Sequence, residues 1–345
     1  MLPLKKLVRT DNWFSQKLPP LLAVAYALLL IGETDSVSAL RTVPFIVLCM
    51  CCVAAYGHVV NDIFDIEADG LTGRPNAMAQ VAPGGRRLLV ALLLVMGAAG
   101  AATLPTNPIA IGLLALNYVL PTVYSMPPLR LKERGLAGVV SDTLGSHVIP
   151  TLFVAASLLG AAGWQTGIAS ALVLSAAGWA LCLGLRGILV HQIFDQEGDR
   201  AANVITFASG KGPGAVRSFV IKVILPLEAV SLVIFVALLL PVSNILLGAV
   251  LLFLLGEASR IVRRVQLPLV YPHDSGLEPH VPLLKNDFYE VWLPCALAVQ
   301  LSLDQTGYLW LLAAHVVLFH RVIMEVAALM VRLLRQQLGS VWSRP

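Results

Sequence analysis

Charge is what this sequence has least of. Of 345 residues only 13% are Asp, Glu, Lys or Arg, against 57% apolar ones, and the mean hydropathy is +0.80. A soluble domain carries about a quarter charged residues, so composition excludes that class and points to a helical chain crossing a membrane many times. Cysteine is sparse as well. The five, Cys49, Cys51, Cys52, Cys182 and Cys295, lie in apolar runs without metal-ligand spacing. That excludes a disulfide framework and a thiolate zinc site, and leaves them as small core residues. A cleavable signal pattern is also lacking. The start, MLPLKKLVRTDNWFSQK, is basic and amphipathic, and the first apolar run begins near Leu18.

What is present is a series of long apolar runs. They fall near 18–32, 43–64, 88–104, 108–126, 137–163, 166–194, 218–240, 244–260, 288–303 and 307–330, each long enough for most or all of a bilayer crossing. The connections alternate in charge. Lys5, Lys6, Arg9 and Lys17 precede the first run, and Arg74, Arg86 and Arg87 follow the second. Arg130, Lys132 and Arg134 follow the fourth, Arg200, Lys211 and Arg217 the sixth, Arg260, Arg263 and Arg264 the eighth, and Arg332 and Arg335 the last. Arg41 stands on the opposite side. By the positive-inside rule both termini face the cytoplasm, and the expected location is an inner membrane of bacterial type.

The few acidic residues are concentrated. Residues 61–69 read NDIFDIEAD, and Asp62, Asp65 and Asp69, spaced three and four apart, share one helix face. An acidic face at the end of a membrane span is costly to keep and marks function. Like charges at that spacing need a cation between them, and hard carboxylate oxygens suit Mg²⁺, which also bridges to phosphate oxygens. The pattern recurs at 191–199, HQIFDQEGD, again after an apolar run. Asp65 aligns with Asp195, Glu67 with Glu197 and Asp69 with Asp199. Two such ends indicate internal duplication around one site on the cytoplasmic side.

Each acidic motif runs into a long loop rich in Gly, Pro and cations, 65–87 and 195–217, and a third loop, YSMPPLRLKERG, covers 124–135. These are expected to be caps that bring Arg74, Arg200, Lys211, Arg130 and Lys132 to a polyanion, with Tyr124 beside them. Arg86, Arg87 and Arg134 are assigned to topology alone. Inside the spans, Asp142, His147 and Arg186 allow two readings: an Asp142–Arg186 ion pair, or groups that orient or deprotonate an acceptor. His191, one turn before Asp195, is a base or a partner of the metal carboxylates, and His58 stands likewise before Asp62. Asn286–Glu290 reads as a capping box, and Glu228 and Glu257 as isolated acids.

With these residues in view, the chain resembles the UbiA superfamily of intramembrane prenyltransferases. The family pattern NDxxDxxxD stands here as Asn61, Asp62, Asp65 and Asp69, and DxxxD as Asp195 and Asp199. The Tyr-Pro-basic loop resembles Tyr124, Pro127, Pro128, Arg130 and Lys132. The resemblance implies an all-α, polytopic bundle of nine to ten transmembrane helices around a central cavity, as one domain over 1–345. It implies Mg²⁺, two or more ions, on Asp62, Asp65, Asp69, Asp195 and Asp199, and a prenyl diphosphate as donor, its diphosphate also held by Asn61 and the loop cations. The partners implied are that donor, a lipophilic or aromatic acceptor and the bilayer, with no nucleic acid. Arg74-Pro75 comes five residues after Asp69 and His191-Gln192 replaces Asn-Asp, both unlike members with quinone-type acceptors. An intramembrane terpene cyclase that needs no acceptor is therefore the alternative. An ion-coupled transporter is a third class; both motif copies having one orientation, at helix ends instead of the midplane, counts against it.

Overall fold

The computed structural model describes residues 3–105, 107–160, 167–196, 206–262 and 286–342. Asp199, Arg200, Glu197, Arg263, Arg264, His273 and His280 lie outside them. Among the described residues the chain is all helical, with no strand beyond one isolated bridge. The main helices are α1 (Phe14–Ile31), α2 (Ser36–Thr72), α3 (Pro83–Ala102), α4 (Pro108–Ser125), α5 (Leu136–Leu159), α6 (Gly167–Phe194), α7 (Pro213–Val242), α8 (Asn244–Val262), α9 (Leu293–Asp304) and α10 (Leu309–Trp342). Eight helices among the described residues are long and apolar enough to cross a bilayer. Where described, the expected runs are helical; that at 244–260 has its apolar part in Asn244–Ser259, and that at 288–303 forms the π turn Phe288–Trp292 and α9.

Local chemistry sets several helix ends. Asn107 caps α4, its Oδ1 accepting from Ile109 N at 3.0 Å with Pro108 in the first turn. Its amide nitrogen reaches Ala156 O near the end of α5 at 2.7 Å, fastening the two helices. Three wide π turns, Leu144–Val148, Val220–Ile224 and Phe288–Trp292, each run directly into an X-Pro pair at Pro150, Pro226 and Pro294. A proline inside a helix lacks a donor and crowds the preceding turn, and local widening absorbs that misfit without ending the span.

The chain divides into two units. One comprises residues 1–14 and 37–238 and holds the first acidic motif, the described part of the second and the loops beside them. Within it α4 packs along α5, and α6 along α5 and its π turn. Buried Arg186 of α6 donates from Nε and Nη2 to Glu228 of α7, at 2.7 and 2.9 Å. The other unit comprises residues 15–36 and 239–345. In it the Tyr26 hydroxyl meets His315 Nδ1 at 3.2 Å, and the Tyr308 hydroxyl donates to Thr34 O at 2.6 Å. α10 is kinked at Phe319, whose φ and ψ are −113° and 18°.

Candidate active site at the acidic helix end

α2 has 37 residues and so a length of about 55 Å, well beyond the ~30 Å hydrocarbon core. Its surplus length carries Asn61 to Asp69. The helix holds the three carboxylates on one face, and each has a different partner. Asp62 is fully enclosed, 0% exposed, and meets Arg9 Nη2 at 2.7 Å from Oδ1. That contact is an ion pair whose N–H alignment falls short of a regular hydrogen bond, and no other group donates to either Asp62 oxygen. Asp65 is gripped from the 124–135 loop: Arg130 Nη2 stands 3.1 Å from Oδ1, and Lys132 Nζ closes on the same oxygen. Asp69 Oδ2 accepts from Asn76 Nδ2 at 2.8 Å.

Two loops are shaped to make these contacts. After α2 the chain turns back, and buried Asn76 donates to Asp62 O and Asp69 while its own oxygen accepts from Met78 N and Ala79 N. Arg86 Nε donates to Met78 O and Val81 O, at 2.9 and 2.8 Å, bracing the same turn. In the other loop Arg130 has a left-handed backbone, φ 37°, sparsely populated for a non-glycine residue. Its guanidinium also reaches Phe64 O at 3.2 Å and pairs with Glu133. Lys132 Nζ further donates to Asn61 Oδ1 at 3.2 Å, which also accepts from Ser125 Oγ. Burial lowers the Lys132 pKa from its ordinary value, and the Asp65 charge opposes this. Gly138 permits the geometry: a Cβ there would lie 2.8 Å from Leu131 O and 3.1 Å from Lys132 Cα.

The second motif is described as far as Gln196. His191 Nε2 lies 3.2 Å from Asp195 Oδ2, the i, i+4 contact its spacing gives. Gln192 and Gln196, on the adjoining face, clasp Ala208: Oε1 of the first accepts from its N and Nε2 of the second donates to its O. Thr206 and Ser209 close a reciprocal cap on the helix Phe207–Lys211, and Thr206 forms the isolated bridge with Gly135. The loop bearing Arg130 and Lys132 thus joins the segment bearing Lys211.

Most residues singled out by sequence are gathered here. Asn61, Asp65, Arg130 and Lys132 form one connected network, Asn76 links Asp62 O to Asp69 in a second, and Tyr124 stands half-buried at the end of α4. Arg74 and Lys211 have exposed side chains. Three readings change. Glu228, read as an isolated acid, pairs with Arg186, because α7 presents a carboxylate to that face of α6. Asp142 accepts from Ser146 Oγ, at 2.8 Å on its carbonyl and 3.4 Å on Oδ2. Arg86 and Arg134, read as topology charges, brace loops, Arg134 through Pro128 O at 2.6 Å. Sequence reasoning also passed over Arg9 and Asn76. Asn76 sits just past Arg74-Pro75, where an Asx cap is a readable signal; Arg9 had none.

The donor set suits a hard divalent cation. Asp62 offers two buried oxygens whose one contact is the Arg9 guanidinium, and a buried carboxylate so sparsely satisfied attracts a cation. No group of three or more His, Cys, Asp or Glu side chains among the described residues is placed to enclose a metal.

Known proteins complete the picture. Residues 19–268 match the model of the UbiA prenyltransferase family. A digeranylgeranylglyceryl phosphate synthase of Ignicoccus hospitalis is 30% identical over 231 residues, covering 66% of this chain and 69% of the relative. Among solved structures, a UbiA homolog from Archaeoglobus fulgidus bound to DMAPP and Mg²⁺ superposes with TM-score 0.58 at 16% identity, covering 86% of this chain and 98% of that one. The same homolog bound to GPP and Mg²⁺ gives 0.52 at 14% identity, over 93% and 99%. The structures share the fold, and the family match spans the acidic helix and both described loops: this integral, multi-pass membrane protein belongs to the UbiA prenyltransferase family.

Proposed function

We propose that the chain ionises a prenyl diphosphate and transfers the prenyl group to a lipophilic acceptor, with its acidic site at the cytoplasmic membrane face. The observation that carries this is the pairing of Asp62, buried and accepting no hydrogen bond, with Asp65, held between Arg130 and Lys132. The bond from C1 to the diphosphate oxygen breaks with its electron pair on the leaving group. The acceptor then bonds to the allylic cation and gives up its proton. Asp62, Asp65 and Asp69, with Asp195 and Asp199 of the second motif, would hold Mg²⁺, which supplies charge neutralisation to the leaving diphosphate. Arg130 and Lys132 turn from Asp65 to the diphosphate oxygens as negative charge develops there. Asn61 keeps Lys132 aimed, and Arg74, Lys211 and Arg200 add cations at the rim. Loops 65–87, 124–135 and 195–217 act as caps of one module and keep water from the cation.

The Ignicoccus relative's name specifies a glyceryl phosphate carrying two geranylgeranyl groups. A glyceryl phosphate lipid is accordingly the acceptor class we favour, its phosphate reaching the exposed Arg74 and Lys211. The test is mass spectrometry of products from purified protein with Mg²⁺ and dimethylallyl, geranyl, farnesyl or geranylgeranyl diphosphate. Each donor is run alone, with a geranylgeranyl glyceryl phosphate, and with a membrane lipid extract. A prenylated product that needs the glyceryl phosphate supports the reading. A cyclic hydrocarbon or alcohol formed without acceptor makes the chain a cyclase, and no diphosphate release in any arm overturns both.

A further inference from the structure

Arg9 lies about fifty residues before the acidic motif in sequence, yet it provides the contact to the motif's most enclosed carboxylate. Its placement is built. The helix Leu4–Leu7 rests against the turn Ala77–Gln80, and the following turn is fixed by buried Trp13, whose indole Nε1 donates to Val8 O at 2.8 Å. Between these anchors Arg9 adopts a left-handed backbone, φ 48° and ψ 44°. Arg130 has the same uncommon conformation, and both arginines meet a motif carboxylate. Sparsely populated backbone persists where the surroundings over-determine it, and it concentrates at functional sites.

The contact itself is of an exchangeable kind. Arg186 and Glu228 show what a permanent pair looks like here, with two aligned hydrogen bonds and both side chains buried. Arg9 makes one unaligned contact, and its side chain is 33% exposed. A guanidinium with an open side can leave without being stranded in a dry interior, whereas Asp62 cannot leave.

We propose that Arg9 is a displaceable counter-ion: it holds Asp62 ionised until a divalent cation binds, then moves to the oxygens of the donor's diphosphate. The N-terminal segment is thereby part of the donor site, and metal and diphosphate binding are coupled through one side chain. Metal alone must evict Arg9; metal arriving with diphosphate gives Arg9 a new anion. The inference rests on the diphosphate reading given above, and it fixes opposite signs for two affinities. Neutralising Arg9 removes a cation competing for Asp62, so metal alone binds tighter. It also removes a charge-assisted donor, so diphosphate binds more weakly. A residue that only anchored the N-terminus would weaken both together.

The experiment is titration of the full-length protein in detergent at pH 8 with Mn²⁺ alone, followed by paramagnetic resonance, and with inorganic pyrophosphate in saturating Mn²⁺. Arg9→Gln should bind Mn²⁺ roughly 10-fold tighter than wild type and pyrophosphate roughly 10-fold more weakly, the scale of one charge-assisted contact. Arg9→Lys should lie near wild type on both axes, and Lys5→Gln, at an exposed position, should match it. Unchanged or weaker Mn²⁺ binding by folded Arg9→Gln overturns the proposal, as does unchanged pyrophosphate binding. Should Arg9→Gln not fold, Trp13→Phe keeps the arginine and frees its turn. It should shift both affinities the same way by a smaller factor, and wild-type values there overturn the proposal equally. Wild-type protein that binds Mn²⁺ and pyrophosphate but releases no diphosphate from any prenyl donor defeats the transfer reading and leaves the Arg9 exchange standing.

Discussion

At the scale of residues, position against Asp65 separates cations that otherwise look alike. Arg130, Lys132 and Arg134 occupy one short loop, but the first two reach Asp65 while the third binds Pro128 O. Arg130→Gln or Lys132→Gln should lower both kcat and donor affinity, by roughly 10–1000-fold for loss of one electrostatic donor. Arg134→Gln and the exposed Arg87→Gln should stay within a few-fold. Initial diphosphate release against donor concentration measures this, and equal behaviour of Arg130→Gln and Arg134→Gln would reduce the loop to a brace. Gly138 gives a second handle. Its Cβ would press on the Leu131 and Lys132 backbone, so Gly138→Ala should displace the loop, imitating Lys132→Gln in kinetics and lowering the protein's thermal midpoint as well. The sequence already sets Arg130 and Lys132 apart from Arg134; that both close on Asp65 depends on the loop that carries them.

At the scale of elements, the buried Arg186–Glu228 pair joins α6 to α7. Removing one partner leaves the other's charge uncompensated in an apolar setting, a cost of about 3–5 kcal/mol, whereas replacing both with apolar groups is often neutral. Arg186→Met should therefore lower the unfolding midpoint in detergent sharply, and Arg186→Met combined with Glu228→Met should recover most of it. If the double variant is no better than the single one, the pair is not the source of the loss. Apolar runs told where helices lie, and Pro150, Pro226 and Pro294 sit inside them as plain letters. That a π turn precedes each of these three is decided by the structure, since Pro44 and Pro121 lack the same donor inside helices without one. Asn76 shows the same division. Its type suits a cap, but its hold on Asp62 O and Asp69 needs the loop to have turned back along α2.

At the scale of the whole molecule, the charge alternation of the connections makes a sidedness prediction. In a variant whose five cysteines are replaced, Gln80→Cys and Gly210→Cys should both react with an impermeant maleimide from the cytoplasmic side alone. Labelling of either from the outer side would place the acidic site on the other face and undo the positive-inside assignment. Eight of the ten apolar runs stand as helices long enough to span. Of the two remaining, α8 is apolar over Asn244–Ser259, short of a span's length, which hydropathy by itself does not separate.

The sequence alone determined the membrane class and the helix face that the first motif's carboxylates share. Scarcity of charge dictates a membrane protein, since apolar runs of this length have no other solvent. Carboxylates three and four apart dictate a shared helix face, since 3.6 residues make a turn. Both properties are local, so both can be read locally. Tertiary structure decided which charges meet. It brought Arg9 to Asp62 across about fifty residues, gave Glu228 to Arg186, and set Arg130 and Lys132 on Asp65. An ion pair is chosen by distance and enclosure in space, and neither is a function of separation along the chain.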